Sequence, residues 1–276
     1  MRRHLPRRAA ARQPLLLAVT ALTAAASLSF AVCSATDCLA RPRPSEQAQL
    51  IDATEEAGAF DFSNLRVDRS RLLAGGPPKD GIPALTDPEF VPITAADYLQ
   101  DADRVIVVHR NGERRGYPVR ILNLHEIVND TVGDVPQAVI FCPLCDSVTV
   151  VERRIGDETL EFGVSGLLLN SNVLLYDRTH DGLWSQMSGR AISGPMAGTQ
   201  LRHRADWSIA TAARLEADHP SLPVLSENTG HRRNYRRTAY EAYLADPEAL
   251  MFPVEPLDDQ LSRKARVVGV RIGDAA

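Results

Sequence analysis

Val139-Ile140-Phe141-Cys142-Pro143-Leu144-Cys145-Asp146 is an apolar run that ends in a Cys-x-x-Cys, and the chain resumes as Val148-Thr149-Val150-Val151. β-Branched residues on both sides of a Pro-containing break predict two strands joined at the cysteines. Outward from there the same texture continues. Arg104–His109 reads as a strand, and Asn111-Gly112 after it is a hairpin turn returning through Tyr117. Pro118 opens Val119–Asp130, which reads as a short helix or as a helical turn feeding a strand, closed by Gly133-Asp134. On the other side come strands at 148–154 and 159–164, a loop or helical turn over Ser165–Asn172, and a strand over Val173–Asp177. A turn at Asp181-Gly182 then leads into a strand carrying Trp184. Helices are expected late, at Trp207–Ala217 with Asp206 as N-cap and at Tyr240–Leu244. A last strand is expected at Arg266–Val270. The 17 glycines and 18 prolines punctuate these runs. The fold class that follows is α+β, mostly β, with antiparallel meander sheets and a few peripheral helices.

The first forty residues are of another kind. Arg2, Arg3, Arg7, Arg8 and Arg12 precede an uncharged stretch from Pro14 to Val32. A basic head before an apolar run reads as an export signal, and its rival is an uncleaved anchor, since about 20 apolar residues span a bilayer. Residues 41–59 read as a polar linker and 60–276 as one β-rich domain. That domain ends in what reads as the start of a truncated second repeat, because Arg266–Asp274 resembles Arg104–Glu113 with one residue skipped. The expected location is extracytoplasmic, periplasmic or secreted, with membrane contact only through residues 14–32 if they stay attached. Residues 1–40 hold five arginines against Asp37, so the chain's net charge of −4 becomes −8 for the remainder. An acidic body argues against nucleic acid as a partner. Removal of the signal also leaves Cys142 and Cys145 as the sole cysteines. The remaining basic cluster, His231 to Arg237, reads as a solvated surface paired with the chain's own carboxylates.

Two cysteines at this spacing admit three readings. As a redox pair, one thiolate attacks a partner and the other resolves the mixed disulfide. Pro143 directly after Cys142, with β-branched residues beyond, does not match a Cys-x-x-Cys at a helix start. As metal ligands, the pair with His125 forms a copper or zinc site; Cu(I) needs only two or three soft ligands, with Met187 or Met196 as further donors. As a structural feature, it is an inert disulfide or two buried thiols. Beside this site, His125, Glu126, Asn129 and Asp130 would lie one turn apart on a helix and orient a hydrolytic base. Ser165 in Gly163-Val-Ser-Gly166 lacks the last glycine of a hydrolase nucleophile elbow. A non-catalytic ligand pocket is the further alternative, built from the Gly-Pro-rich 75–88 segment with Glu126, Asn129, Asp130, Ser165, Asn170, Trp184 and Gln186.

The order of motifs resembles a known family. Gly75–Leu85, Tyr117–Leu122, His125–Asp130, Cys142-Pro-Leu-Cys145, Phe162–Gly166, Tyr176-Asp-Arg178 and Leu183–Gln186 are similar in sequence and spacing to the bacterial and archaeal domain-of-unknown-function family 3179, over roughly residues 60 to 270. The resemblance implies an exported or membrane-attached protein and carries over no activity. It also marks two departures: Leu124, where the family tends to have an aromatic residue, and Asp146, where a glycine commonly follows the second cysteine. The resulting expectation is an extracytoplasmic Cys-x-x-Cys site that binds a soft metal ion or exchanges disulfides, its partner a metal ion, a thiol or a small molecule.

Overall fold

The computed structural model describes residues 59–237, 239–258 and 260–268. The expected export segment, residues 41–58 of the expected linker and the end of the expected last strand lie outside the described residues. Fifteen strands run in chain order: β1 (Leu72–Ala74), β2 (Leu85–Thr86), β3 (Phe90–Pro92), β4 (Arg104–Arg110), β5 (Glu113–Pro118), β6 (Ile127–Val132), β7 (Val135–Cys142), β8 (Ser147–Glu152), β9 (Arg154–Ile155), β10 (Glu158–Thr159), β11 (Phe162–Leu169), β12 (Asn172–Asp177), β13 (Leu183–Ser185), β14 (Trp207–Thr211) and β15 (Pro223–Leu225). α-Helices are confined to Val119–Leu122, Ala212–Asp218 and Glu241–Ala245 among the described residues, with short 3-10 turns at Arg69–Arg71 and Ile93–Ala95, so the protein is mostly β.

Three sheets carry the molecule, in the orders β1-β11-β12-β13, β2-β6-β7-β8 and β14-β4-β5-β15-β3, with β9 and β10 as a separate ribbon. Most neighbours are antiparallel and consecutive, so β6-β7-β8 and β11-β12-β13 are meanders; β2 on β6 and β15 on β5 are parallel. The β2-β6-β7-β8 sheet is buried on both faces. Val139 and Phe141 pack with Val105–Val108 and Tyr117, while Ala138, Ile140 and Cys142 pack with Phe162, Val164, Val173 and Trp184. A strand covered on both sides has no polar face to show. This is why residues 138–142 read as an unbroken apolar run rather than an alternation.

Three two-residue turns set the registers. Asn111-Gly112, Gly133-Asp134 and Asn170-Ser171 all have positive φ at both positions, the backbone that matches strand twist in tight hairpins. They join Arg110 to Glu113, Val132 to Val135 and Leu169 to Asn172. The last turn corrects the loop expected over Ser165–Asn172. Residues 165–169 continue β11, and Asn170 and Ser171 take the left-handed conformation without a glycine. The Ser165-Gly166 step is a bulge, where the register slips between Val164 and Leu168.

Three further expectations are corrected. Of the two readings of Val119–Asp130, the helical turn feeding a strand is the one found: the helix stops at Leu122 and Ile127–Val132 is strand, so the i, i+4 relation expected between His125 and Asn129 does not exist. Trp207–Thr211 is an edge strand on β4 and the helix begins only at Ala212, because pairing with the apolar β4 overrides local helix propensity. Arg266, Val267 and Val268 form no strand.

Candidate functional site

The cysteines sit where β7 meets β8. Cys142 is the last residue of β7 and pairs in register with Ser147, so Pro143–Asp146 form a four-residue hairpin loop. Cys142 is fully buried, while Cys145 is exposed, and both are free thiols. Asp146 has φ 50°, which explains why a glycine suits this position; an aspartate is among the few side chains that tolerate it. Its carboxylate does a second job, because Arg104 grips it through both terminal nitrogens at 3.0 and 2.5 Å and Arg266 adds bonds at 2.8 and 2.7 Å.

The two sulfurs differ in state. Cys145 is held down to about 6, first because the Cys142 thiol donates to its sulfur, then through Ser147 and Asn172, against the opposing effect of burial. The Ser147 hydroxyl lies 3.0 Å and the Asn172 amide 3.2 Å from the sulfur. Gln186 fixes both: its Oε1 accepts from Ser147 Oγ at 3.0 Å and from the Asn172 amide, and its Nε2 donates to the Ser147 carbonyl at 3.1 Å. Cys142 is pushed well above the ordinary thiol range, first by that same hydrogen bond to the Cys145 sulfur and then by burial. Its S–H also has the Ser171 carbonyl within 3.9 Å. An exposed thiolate is thus paired with a buried thiol.

Glu126 stands next to this pair. The helix Val119–Leu122 closes with Glu126 N–H donating to the Leu122 carbonyl, and Glu126 turns the chain into β6 at φ 58°. Its carbonyl accepts from Phe141 N–H at 2.8 Å, extending the β6–β7 ladder to the residue before Cys142. Glu126 as a residue is 6% exposed, and its carboxyl makes no hydrogen bond among the described residues. Burial, with the Cys145 charge adding to it, pushes it up to about 8, so it is largely protonated at pH 7. Glu126 lines a cavity of about 70 Å³ with Tyr240, Leu144, Val173, Met251 and Phe252. The roof of that cavity comes from the C-terminal segment, which is tied to the cysteine loop by Tyr243 Oη donating to the Leu144 carbonyl at 2.8 Å. Neither cysteine lines this cavity, nor the larger cleft of about 330 Å³ between Thr86–Glu89 and Asn228–His231.

The remaining sequence-selected residues are scattered around this core. His125 is buried with both ring nitrogens engaged, Nδ1 on the Pro83 carbonyl at 2.7 Å and Nε2 with Tyr235 Oη at 2.6 Å. Burial lowers its pKa to about 4, so the ring is neutral, donating from Nδ1 to the carbonyl and accepting at Nε2 from Tyr235 Oη. Asn129 clamps β11 by exchanging two bonds with the Phe162 backbone, at 2.8 and 2.9 Å. Asp130, on the other face of β6, accepts from Arg115 and Tyr117, each at 2.6 Å. The Ser165 hydroxyl is consumed within the bulge, donating to the Leu174 carbonyl at 2.6 Å and accepting from Leu167 N–H. The Trp184 ring is fully buried against Phe162 and donates to Asp177 at 2.9 Å. Asn170 reaches the Glu255 carbonyl. Met187 is 62% exposed and Met196 packs against the apolar cluster. In the basic cluster, Arg236 pairs with Asp97 and Glu227, and Tyr235 is buried. Among the described residues no three His, Cys, Asp or Glu side chains come together as a ligand set for a metal.

The structure therefore joins Cys142, Cys145, Glu126 and Gln186 and adds three residues that the sequence reading passed over: Ser147, Asn172 and Tyr240. Ser147 carries a faint signal, since it lies two residues after Cys145. Asn172 and Tyr240 reach the site from distant segments and carry none.

The fold and site define a class first: a mostly β protein with an unequal dithiol at a strand end. Its sequence matches the family described as a protein of unknown function (DUF3179) over residues 79–276, and the chain belongs to that family. Comparison with curated proteins and with solved structures returned no match.

Proposed function

We propose that this is an exported dithiol oxidoreductase, in which Cys145 is the attacking thiolate and Cys142 the resolving thiol. The observation that carries the reading is the inequality of the two sulfurs. An inert disulfide needs no hydrogen-bond donors around one sulfur, whereas a nucleophile does. Export rests on the arginine-rich head and the uncharged stretch behind it, and it would place the pair where disulfides form and persist.

The chemistry balances as follows. Cys145 S⁻ attacks one sulfur of a substrate disulfide, forming a mixed disulfide and releasing one substrate thiolate. The released substrate thiolate takes the Cys142 proton, and Cys142 attacks Cys145 Sγ. The Cys142–Cys145 disulfide forms and the second substrate thiolate leaves, so the substrate gains two electrons and the protein loses two. The reverse sequence oxidises a dithiol. Soft-metal binding has less support, because both His125 nitrogens are already bonded within the protein.

The test is reaction of the reduced full-length protein with 4,4′-dithiodipyridine. The wild type should release two equivalents of thiopyridone and form an internal disulfide. Cys142→Ser should stop at one equivalent with a stable adduct on Cys145. An adduct on Cys142, or no internal disulfide in the wild type, would falsify the reading.

A further inference from the structure

After β15 the described chain adds no further strand; apart from the helix Glu241–Ala245 and isolated turns it runs irregularly to Val268. It nevertheless keeps returning to one place, the loop that carries the cysteines. Tyr243 Oη donates to the carbonyl of Leu144, which stands between Cys142 and Cys145. Arg266 reaches the Asp146 carboxylate with Nε at 2.8 Å and a terminal nitrogen at 2.7 Å. The Leu144 side chain packs, with Met251, against the cluster of Phe252, Leu73 and Leu168. A fourth tie goes to the neighbouring turn, where Asn170 donates to the Glu255 carbonyl at 3.0 Å; the next residue, Ser171, offers its carbonyl to the Cys142 thiol. Lys264 closes the segment on itself by donating to the Tyr243 and Asp246 carbonyls.

We propose that Tyr240–Arg266 is a redox-responsive strap, held on the cysteine loop while Cys142 and Cys145 are thiols and released when they join as a disulfide. This rests on the dithiol reading and adds a conformational output to it. The argument concerns where the movement must go. Cys142 is locked at the end of β7 and Ser147 at the start of β8, facing each other in register. A covalent bond draws two sulfurs much closer than a hydrogen bond does. With both ends of the loop fixed, the displacement falls on Pro143–Asp146, the residues to which Tyr243, Arg266 and the Met251–Phe252 packing attach. Oxidation also removes the Cys142 S–H, and with it that thiol's contact to the Ser171 carbonyl beside the Asn170 tie. Among the described residues the strap has no ladder of backbone bonds to a sheet, so it belongs to the low-stability end of the molecule. Losing two or three ties opens it locally and leaves the sheets intact.

The experiment is hydrogen exchange, read by mass spectrometry, on the full-length protein in its reduced form and after oxidation by 4,4′-dithiodipyridine. In that oxidation the dithiol loses two electrons and two protons, and the reagent leaves as two thiopyridones. Amides of residues 240–258 and 260–266 should exchange at least about tenfold faster in the oxidised protein, while those of β6–β8 keep their rates. The double variant Cys142→Ser, Cys145→Ser, treated identically, should show no change, which separates the disulfide from the reagent. If that variant does not fold, reduction of the oxidised wild type with dithiothreitol takes its place and should restore the slow exchange. Tyr243→Phe should speed exchange of the strap already in the reduced protein, because it removes the tie at Leu144. An internal disulfide with exchange of the strap unchanged or slowed overturns this inference and leaves the dithiol reading standing. Failure to form the internal disulfide overturns the dithiol reading beneath it.

Discussion

Cys142 and Cys145 are three residues apart and belong to two different regions. Cys142 ends a strand buried on both faces, where its register with Ser147 and its apolar neighbours are set by sheet packing. Cys145 sits on a turn at the surface, surrounded by side chains from β8, β12 and the residue after β13. The first environment suppresses ionisation and the second favours it. The difference teaches that the pair's chemistry comes from the strand-to-turn boundary falling between the cysteines, rather than from the Cys-x-x-Cys spacing itself.

The most direct way to break the comparison is alkylation as a function of pH. Iodoacetamide should label Cys145 with a midpoint near 6 and leave Cys142 unlabelled in the folded protein. Cys145→Ser should abolish labelling, and Ser147→Ala with Asn172→Ala should move the midpoint up by at least about one unit. A single midpoint near that of a free thiol would remove the distinction between the two sulfurs.

A smaller effect is expected from Glu126→Gln, read by denaturant unfolding across pH. The Glu126 pKa is raised from 4.5 to about 8, so its stabilising contribution is full below 4.5 and is lost as pH rises through 8. Above pH 8 the variant should be the more stable protein, by on the order of a few kcal/mol. Cys145 carries the opposite sign: its lowered pKa stabilises the fold above the unfolded value near 9 and that contribution fades as pH falls through 6. Parallel stability curves for wild type and Glu126→Gln would show that the carboxyl is not under strain.

The smallest effect belongs to the turn. Asp146→Gly relieves the left-handed backbone while removing the ion pairs to Arg104 and Arg266, and the two changes should cancel to within about 1 kcal/mol. Asp146→Val keeps the strain and loses the pairs, so its melting temperature should fall below that of Asp146→Gly. The reverse order would mean that the left-handed backbone at this position carries no strain.

Much of the fold was legible. Asn111-Gly112 announced its hairpin, and the β-branched runs around the cysteines announced theirs, because turn chemistry and β propensity are local. Asn170-Ser171 was not legible as a two-residue turn: neither residue is glycine, and the left-handed conformation is imposed by the strands it joins. Nor was the strand at Trp207–Thr211, whose sequence suits a helix and whose pairing with β4 decides otherwise.

The site divides along the same line. By itself the sequence determined that two cysteines lie at the junction of two strands, that His125 and Glu126 precede one of them, and that the chain belongs with relatives sharing those motifs. Only the tertiary structure decided their roles. It bonded His125 at both nitrogens, left the Glu126 carboxyl buried without a partner, and brought Ser147, Asn172 and Gln186 around one sulfur. Burial and hydrogen bonding across distant segments set a group's ionisation, and neither is a property of the residues adjacent in the chain.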